Sequence, residues 1–404
     1  MLININEKIY FDTSSSILYT DKKLINNVSD ENKNKLRNIF IDKRNNHFKR
    51  HRTIKTLNFI GSMKCNGKCL YCYNEDNNNT INVDMSLETI KDSINDILLK
   101  GYSIDAETVR LYGGEPLLCN ELFDILDYLN DKYENLTIYI SSGLYIDDNK
   151  FNYIVDRIKS YHNISIGVGV DLGTYPETRI GTIDKSKLLS RCETLLDNNI
   201  NTILVNTVSK FTNTDKLFNE ISDFKSKYNK AKFRIAVACD DKYSPSIEQL
   251  NKLELKLDSE YSKQNFNLTS NIFPYTDVIN APSIYKIDDG IYYFSYSPYY
   301  CGIFSDMINI LPNGQLIHCH MSPTDNTISI DDFHNKELLT NNEKCKNCDF
   351  YLQCRGGCFY RYQICDKFET NIYCEWIKKS FILSLKRLVY GNNNINTIID
   401  RLSI

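Results

Sequence analysis

The chain has 404 residues, 14 of them cysteine, and a formal net charge of −3. Hydrophobic residues make up 42% and charged residues 25%, which excludes collagen-like and wholly disordered chains and allows two or three domains. The near-neutral balance argues against a nucleic-acid binder with a basic surface, and no apolar run is long enough to span a membrane.

The N-terminal MLININEKIYFD has no basic region followed by an apolar stretch, so no signal peptide is expected. That points to a cytoplasmic chain with reduced thiols, whose cysteines serve metal rather than disulfides. Residues 1–53 stand apart: NEKIYFDTSSSILYTDKKLINNV suggests a small hairpin and ENKNKLRNIF a short helix. Strands are predicted at 56–61, 108–112, 137–142, 164–171, 202–208 and 233–238. Each is short, β-branched and apolar, as buried parallel strands are. Helical patterns fill the gaps, at 85–100, 120–133, 148–161, 184–199 and 215–228, and a sixth follows at 246–263. Ser86 is the candidate N-cap of the first. Successive β-then-α units imply a parallel sheet with right-handed crossovers. Six units rather than eight suggest a partial barrel, an α/β fold whose site forms at the carboxyl ends of the strands. An amphipathic helix is predicted from Ile377, and a shorter one after GNNN.

The cysteines are not spread evenly. Cys65-Asn-Gly-Lys-Cys69-Leu-Tyr-Cys72 follows the first predicted strand directly. Three thiolates on one short loop can ligate three irons of a 4Fe–4S cube and leave the fourth open to a small molecule. The plainer alternative is a zinc site with a remote fourth ligand. C-x3-C-x-aromatic-C after the first strand of a six-unit β/α chain resembles the radical SAM superfamily. The resemblance implies that S-adenosylmethionine (SAM) binds the open iron and is cleaved to a 5′-deoxyadenosyl radical that abstracts a substrate hydrogen. Tyr71 is the aromatic of that motif and a candidate cofactor contact. Tyr112-Gly113-Gly114-Glu115-Pro116 ends the second strand and matches the family's GGEP. Ser141-Ser142-Gly143 ends the third, where hydroxyls would meet ribose. Asp171 ends the fourth, in Gly169-Val170-Asp171-Leu172 where the family often has Ser-x-Asp-Gly. Arg179 resembles an arginine that meets the methionyl carboxylate, against the alternative of a solvated surface arginine. Asn206 resembles a further ligand-facing position.

From residue 301 the pattern reads Cys301-x12-Gly314-x4-Cys319, then Cys345-x2-Cys348-x5-Cys354-x3-Cys358, then Cys365 and Cys374. Gly314 lies in a Pro-Asn-Gly turn between two strand-like runs. This region resembles the SPASM extension of radical SAM enzymes, which carries two auxiliary 4Fe–4S clusters. By position, the resemblance gives Cys301, Cys319 and Cys358 to one cluster and Cys345, Cys348, Cys354 and Cys374 to the other. Cys365 or a non-cysteine group would complete the first, or its iron stays open. Purely structural staples are the alternative for both. The domains expected are 1–53, an extension with a possible peptide-binding role; 54–265, the radical SAM core; 266–300, a bridging segment; and 301–404, the SPASM domain with C-terminal helices.

Cys119, Cys192 and Cys239 read as buried thiols. Asp240 and His320 are candidate acid/base groups, with loop carboxylates and partners of a cluster as the alternatives. The aromatic run IYYFSYSPYY reads as strand and packing surface, or a peptide groove. The resemblance implies a maturase that crosslinks a precursor peptide or protein through a thioether or carbon–carbon bond. It would use SAM, three 4Fe–4S clusters and a low-potential donor such as flavodoxin or ferredoxin. Alternatives are formylglycine formation as in anaerobic sulfatase-maturating enzymes, a SPASM dehydrogenase on a small alcohol, and a non-enzymatic electron carrier. The sulfatase-type relatives place an aspartate where this chain has His320.

Overall fold

A computed structural model describes residues 1–5, 8–46, 52–74, 83–174, 178–238, 242–262, 272–274, 283–296, 301–321, 327–332, 345, 347–358 and 372–390. The chain forms two compact units, one of residues 1–49, 239–301 and 336–404, the other of 50–238 and 302–335. They run across the segments expected from the sequence.

Three short strands open the chain, β1 (Leu2–Asn4), β2 (Tyr10–Asp12) and β3 (Ile17–Tyr19), followed by helix α1 (Asp30–Asn46). The six predicted β/α units come next. β4 (Thr53–Ser62) leads to a two-residue strand β5 (Lys68–Cys69) and helix α2 (Leu87–Leu99). β6 (Ser103–Gly113) and α3 (Leu122–Lys132), β7 (Thr137–Ser142) and α4 (Asp148–Ile158), then β8 (Ile164–Gly169) follow. After the short β9 (Arg179–Ile180) come α5 (Lys185–Asp197), β10 (Asn201–Val208), α6 (Thr214–Lys227) and β11 (Lys232–Val237). Ser86 caps α2 as expected, its side chain accepting from the Thr89 N–H.

Strands β4, β6, β7, β8, β10 and β11 pair in that order, every pair parallel. Their outer faces are continuous apolar runs: Val109, Leu111, Ile138, Ile140, Ile166, Val168 and Leu204 are all buried. Helices cover that face. Ile90, Ile94 and Ile97 of α2 are buried, each contributing about 2 kcal/mol, and Phe224 of α6 meets Phe233 of β11 edge-on at 6.0 Å. The sheet continues past β4. Strand β15 (Met307–Ile310) pairs parallel with β4, and β16 (Leu316–Ile317) turns back on it as the predicted hairpin, with Gly314 at φ +83°. A buried Asn58 donates to Asn309 Oδ1 at 2.8 Å and locks that register. A last short strand, β17 (Thr327–Ile328), pairs with β16.

The other unit holds α7 (Ile247–Ser262), the sixth predicted helix, with β12 (Ile272–Pro274), β13 (Ser283–Asp288) and β14 (Ile291–Ser295). It also holds α8 (Tyr351–Cys354) and α9 (Ile372–Tyr390). Its antiparallel sheet has the order β1-β2-β3-β14-β13. Where the sequence set residues 1–53 apart, β3 pairs with β14, Ile17 opposite Tyr293. The reason is apolar: Phe11 packs on Phe294 and Phe381, ring centroids 5.6 and 5.4 Å apart, in a core shared with Phe350 and Tyr373. Gln353 of α8 donates to Thr13 O at 3.0 Å. Helix α9 begins at Ile372, ahead of the expected Ile377, and so takes Cys374 into its first turn. It packs on α7, where Lys386 pairs with Asp258 at 2.7 Å.

Candidate functional site

β4 runs straight into the loop that carries Cys65, Cys69 and Cys72. The loop is pinned from the far side of the barrel: β5 pairs with β9, Cys69 opposite Arg179, and the Leu70 N–H donates to Thr178 O at 2.9 Å. All three cysteines are half-buried. Burial pushes the Cys65 thiol up to about 12, Cys69 and Cys72 nearby add to the rise, and the Gly67 N–H, donating to Cys65 Sγ at 3.3 Å, opposes it. Burial raises the Cys69 thiol as well, against the Arg179 guanidinium, whose Nη1 is 3.5 Å from its sulfur.

Glu115 follows β6 and is wholly buried. Its carboxylate accepts from Ser142 Oγ at 2.7 Å, the Gly143 N–H at 2.9 Å and the Leu117 N–H at 3.2 Å. Burial raises its pKa despite these donors. Two glycines make the approach possible: a Cβ on Gly113, at φ +133°, would sit 2.3 Å from Ser62 O, and one on Gly114 would sit 2.5 Å from Lys64 O. The GGEP turn therefore packs directly on the backbone that leads to Cys65. Asn74, which the sequence reading did not single out, donates to Gly113 O at 2.8 Å.

Asp171 is a second buried acid of this domain. It lies in the left-handed region at φ +43°. Oδ2 accepts from Arg179 Nε at 3.1 Å and Thr178 Oγ at 3.2 Å, while Oδ1 accepts from the Thr207 N–H at 2.8 Å. Arg179 is thus no solvated surface arginine. It bridges Asp171 and Cys69 over Gly169, where a Cβ would lie 2.2 Å from its Cζ. Asn206 is buried and holds the Leu172 N–H at 2.9 Å. Ser141 is half-buried on β7, opposite Gly167 of β8.

Residues 59–224 match the Radical SAM superfamily. The chain carries a radical SAM domain. Its relatives include a GTP 3′,8-cyclase of Clostridium perfringens, 32% identical over 39% of this chain and 47% of the relative. The chain thus spans about half the length of the first curated relatives it matches. A cysteine-type anaerobic sulfatase-maturating enzyme of Clostridium perfringens is 26% identical over 83% of this chain and 97% of its own length. Among solved structures, Streptococcus suis SuiB bound to precursor peptide SuiA shares the fold with a TM-score of 0.55, 14% identity, and 92% and 98% of the two chains covered.

A radical SAM domain implies SAM and a 4Fe–4S cluster, and the residues present fit them. Among the described residues no three His, Cys, Asp or Glu side chains form a group that would hold a single metal ion. A cube asks for something else, one thiolate on each of three irons. Buried thiols whose pKa is high stay neutral alone and ionise against the charge of bound iron. The Tyr71 hydroxyl is buried with no hydrogen-bond partner among the described residues, beside an Arg179 guanidinium 5.6 Å from its ring. An orphaned donor there awaits a polar ligand. When bound, the cluster supplies the electron that cleaves SAM; the radical SAM domain supplies the buried anion Asp171, the cation Arg179 and the buried Glu115 that line its surroundings.

In the C-terminal region, Cys345, Cys348, Cys354 and Cys358 pack against the Phe11–Phe381 core. Burial raises the Cys354 thiol, and Cys374, Cys345 and Cys348 add to the rise; burial pushes Cys374 up to about 12 as well, with Cys345 and Cys348 adding to it and Lys378 opposing. These four thiols are the ones that the resemblance to the SPASM extension implies for one cluster. Cys301 is half-buried and Cys319 buried, one in each unit. Cys365, Cys239 and Asp240 lie outside the described residues. Cys119 and Cys192 are buried, Cys119 Sγ donating to Met85 O at 3.2 Å.

His320 stacks on Tyr112 with ring centroids 4.2 Å apart and planes 9° apart, and Tyr73 meets it edge-on at 5.7 Å. Two residues missed by the sequence reading complete the domain's interior. Tyr145 is buried, its backbone O holding Asn66 Nδ2 at 3.0 Å. Tyr139 reaches across β8. The only signal for Tyr139 was its offset of two from Ser141 on β7, since strand residues two apart share a face. Among the described residues no helix is long and apolar enough to cross a membrane.

Proposed function

We propose that the chain is a radical SAM enzyme that modifies a side chain of a ribosomal peptide or protein through a thioether or carbon–carbon bond. The observation that carries the reading is the pinned loop: three thiols, one of them on an arginine that also holds a buried aspartate, at the carboxyl ends of parallel strands. A SuiB structure bound to a precursor peptide supports a peptide substrate. In this reading Cys65, Cys69 and Cys72 hold the SAM cluster, and Cys345, Cys348, Cys354 and Cys374 hold an auxiliary one. Cys301, Cys319 and Cys358 are assigned to a third cluster by the resemblance to the SPASM extension alone. A flavodoxin or ferredoxin delivers the electron.

Formylglycine formation is the second reading, favoured by the likeness to a sulfatase-maturating enzyme along 97% of that enzyme's length. Anaerobic reconstitution, reduction with dithionite and mass spectrometry of an adjacent gene-encoded peptide separate the two. Loss of two hydrogens supports a crosslink, and replacement of a thiol by an aldehyde supports the second reading. A reconstituted chain that forms no 5′-deoxyadenosine rejects both.

The expected peptide-binding role of the N-terminus takes a different form. Residues 2–19 are built into a five-stranded sheet whose outermost strands, among the described residues, are β1 and β13. β13 carries the exposed Tyr285 and Ile287, 55% and 45% accessible, and an extended leader can add to such an edge. Ile287→Pro removes one backbone donor from the sheet's last strand and should weaken leader affinity about tenfold. Unchanged affinity in a fluorescence titration removes leader binding from this edge.

A further inference from the structure

The interior of the parallel sheet carries two arginines that nothing above employs. Arg234 on β11 is half-buried, and its guanidinium stands 5.7 Å from the Tyr139 ring centroid. Alternation along β11 sends Phe233 and Ile235 to the covered outer face, so Arg234 faces inward. Arg110 on β6 is half-buried too, on the same face as Tyr112, and pairs in register with Tyr139 on β7. Among the described residues neither arginine has an acidic partner. The two acids near the mouth are already engaged, Asp171 by Arg179 and Glu115 by Ser142.

Tyr139 holds the place between them because β8 yields to it. A Cβ on Gly167 would lie 1.9 Å from the Tyr139 hydroxyl. The Tyr139 ring continues to Tyr112 at 6.4 Å and from there to His320. An aromatic wall thus crosses the interior with a cation at one end. A half-buried guanidinium on a ring face keeps its planar donors free for a carboxylate, which it binds in bidentate fashion.

We propose that Arg234, together with Arg110, receives a carboxylate of the substrate peptide, so that an acidic residue flanks the modified position. This rests on the reading of the chain as a peptide-modifying enzyme. The methionyl carboxylate of SAM offers the same chemistry from another source.

The test uses the full chain, reconstituted with its clusters and with SAM present. It is titrated with two fluorescein-labelled peptide pools of mixed neutral sequence, identical but for a central Glu or Gln. The wild type binds the Glu pool about tenfold tighter, and Arg234→Gln and Arg110→Gln each remove most of that preference while SAM affinity, measured in parallel, holds. Equal binding of both pools by the wild type overturns the proposal. So does an Arg234→Gln variant that keeps the preference and loses SAM affinity, because the carboxylate served is then that of SAM. If a variant does not fold by circular dichroism, the wild-type ratio decides alone. Formation of 5′-deoxyadenosine by the same preparation separates the two readings: SAM cleavage without Glu preference removes only the carboxylate site, and Glu preference without SAM cleavage removes only the enzymatic reading.

Discussion

Replacing Cys65, Cys69 and Cys72 together with alanine is expected to bring 5′-deoxyadenosine formation to background. Iron after anaerobic reconstitution should fall from about twelve to about eight per chain, since each cube holds four. The chain should stay folded. The three thiols lie on a loop, half-buried, and the loop's backbone bonds to Lys64 O, Thr178 O and Cys69 O do not use their sulfurs. Cys354→Ala should do the reverse, because that residue packs against the Phe11–Phe381 core. It should lower iron by about four and lower the melting temperature, yet leave the SAM cluster spectrum in place. The measurements are iron assay, electron paramagnetic resonance of the reduced protein and chromatography of the SAM products. Retained SAM cleavage in the triple variant would refute the assignment of the first loop, and zinc in place of iron would refute both.

Asp171→Ala should be the most destabilising single change near the site. It strips the acceptor shared by Arg179 and Thr178 and the acceptor of the Thr207 N–H. Arg179 is left charged with its side chain only one-fifth exposed, and removing one member of a buried pair costs about 3–5 kcal/mol. The backbone adds to the loss: φ +43° is a conformation that Asp and Asn tolerate and alanine does not, worth about 1 kcal/mol. Asp171→Asn keeps the backbone preference and one acceptor, so it should cost less than half as much. Urea unfolding of the two variants checks the order. An alanine variant within about 0.5 kcal/mol of wild type, the range of an ordinary surface substitution, would mean that Arg179 finds another partner. The alanine variant should also weaken SAM binding, because Arg179 then loses the carboxylate that orients its guanidinium beside Cys69.

The β/α units were legible because their signals are local. The apolar stripe of Ile90, Ile94 and Ile97 and the cap at Ser86 lie within one helix. The three-cysteine loop was legible for the same reason, since chelation by one short loop demands close spacing. The GGEP turn was legible as a motif, but its purpose was not. Only the packing of Gly113 against Ser62 shows that the glycines join the turn to the cysteine loop. Arg179 stood undecided between a ligand contact and a surface residue, because eight residues separate it from Asp171 and the loop between them sets the distance.

The sequence by itself determined the order of the elements, the α/β class and the three-cysteine loop of Cys65, Cys69 and Cys72. Each follows from residues that are neighbours along the chain. The tertiary structure alone decided that β15 extends the sheet, through a bond between Asn58 and Asn309 that are 251 positions apart. It alone joined the N-terminal strands to the cysteine-rich C-terminal region, through Gln353 and Thr13, 340 positions apart. It also decided which charges inside the barrel are paired and which are not. Strand register fixes those neighbours, and register is set by the burial of whole faces rather than by any local run of residues.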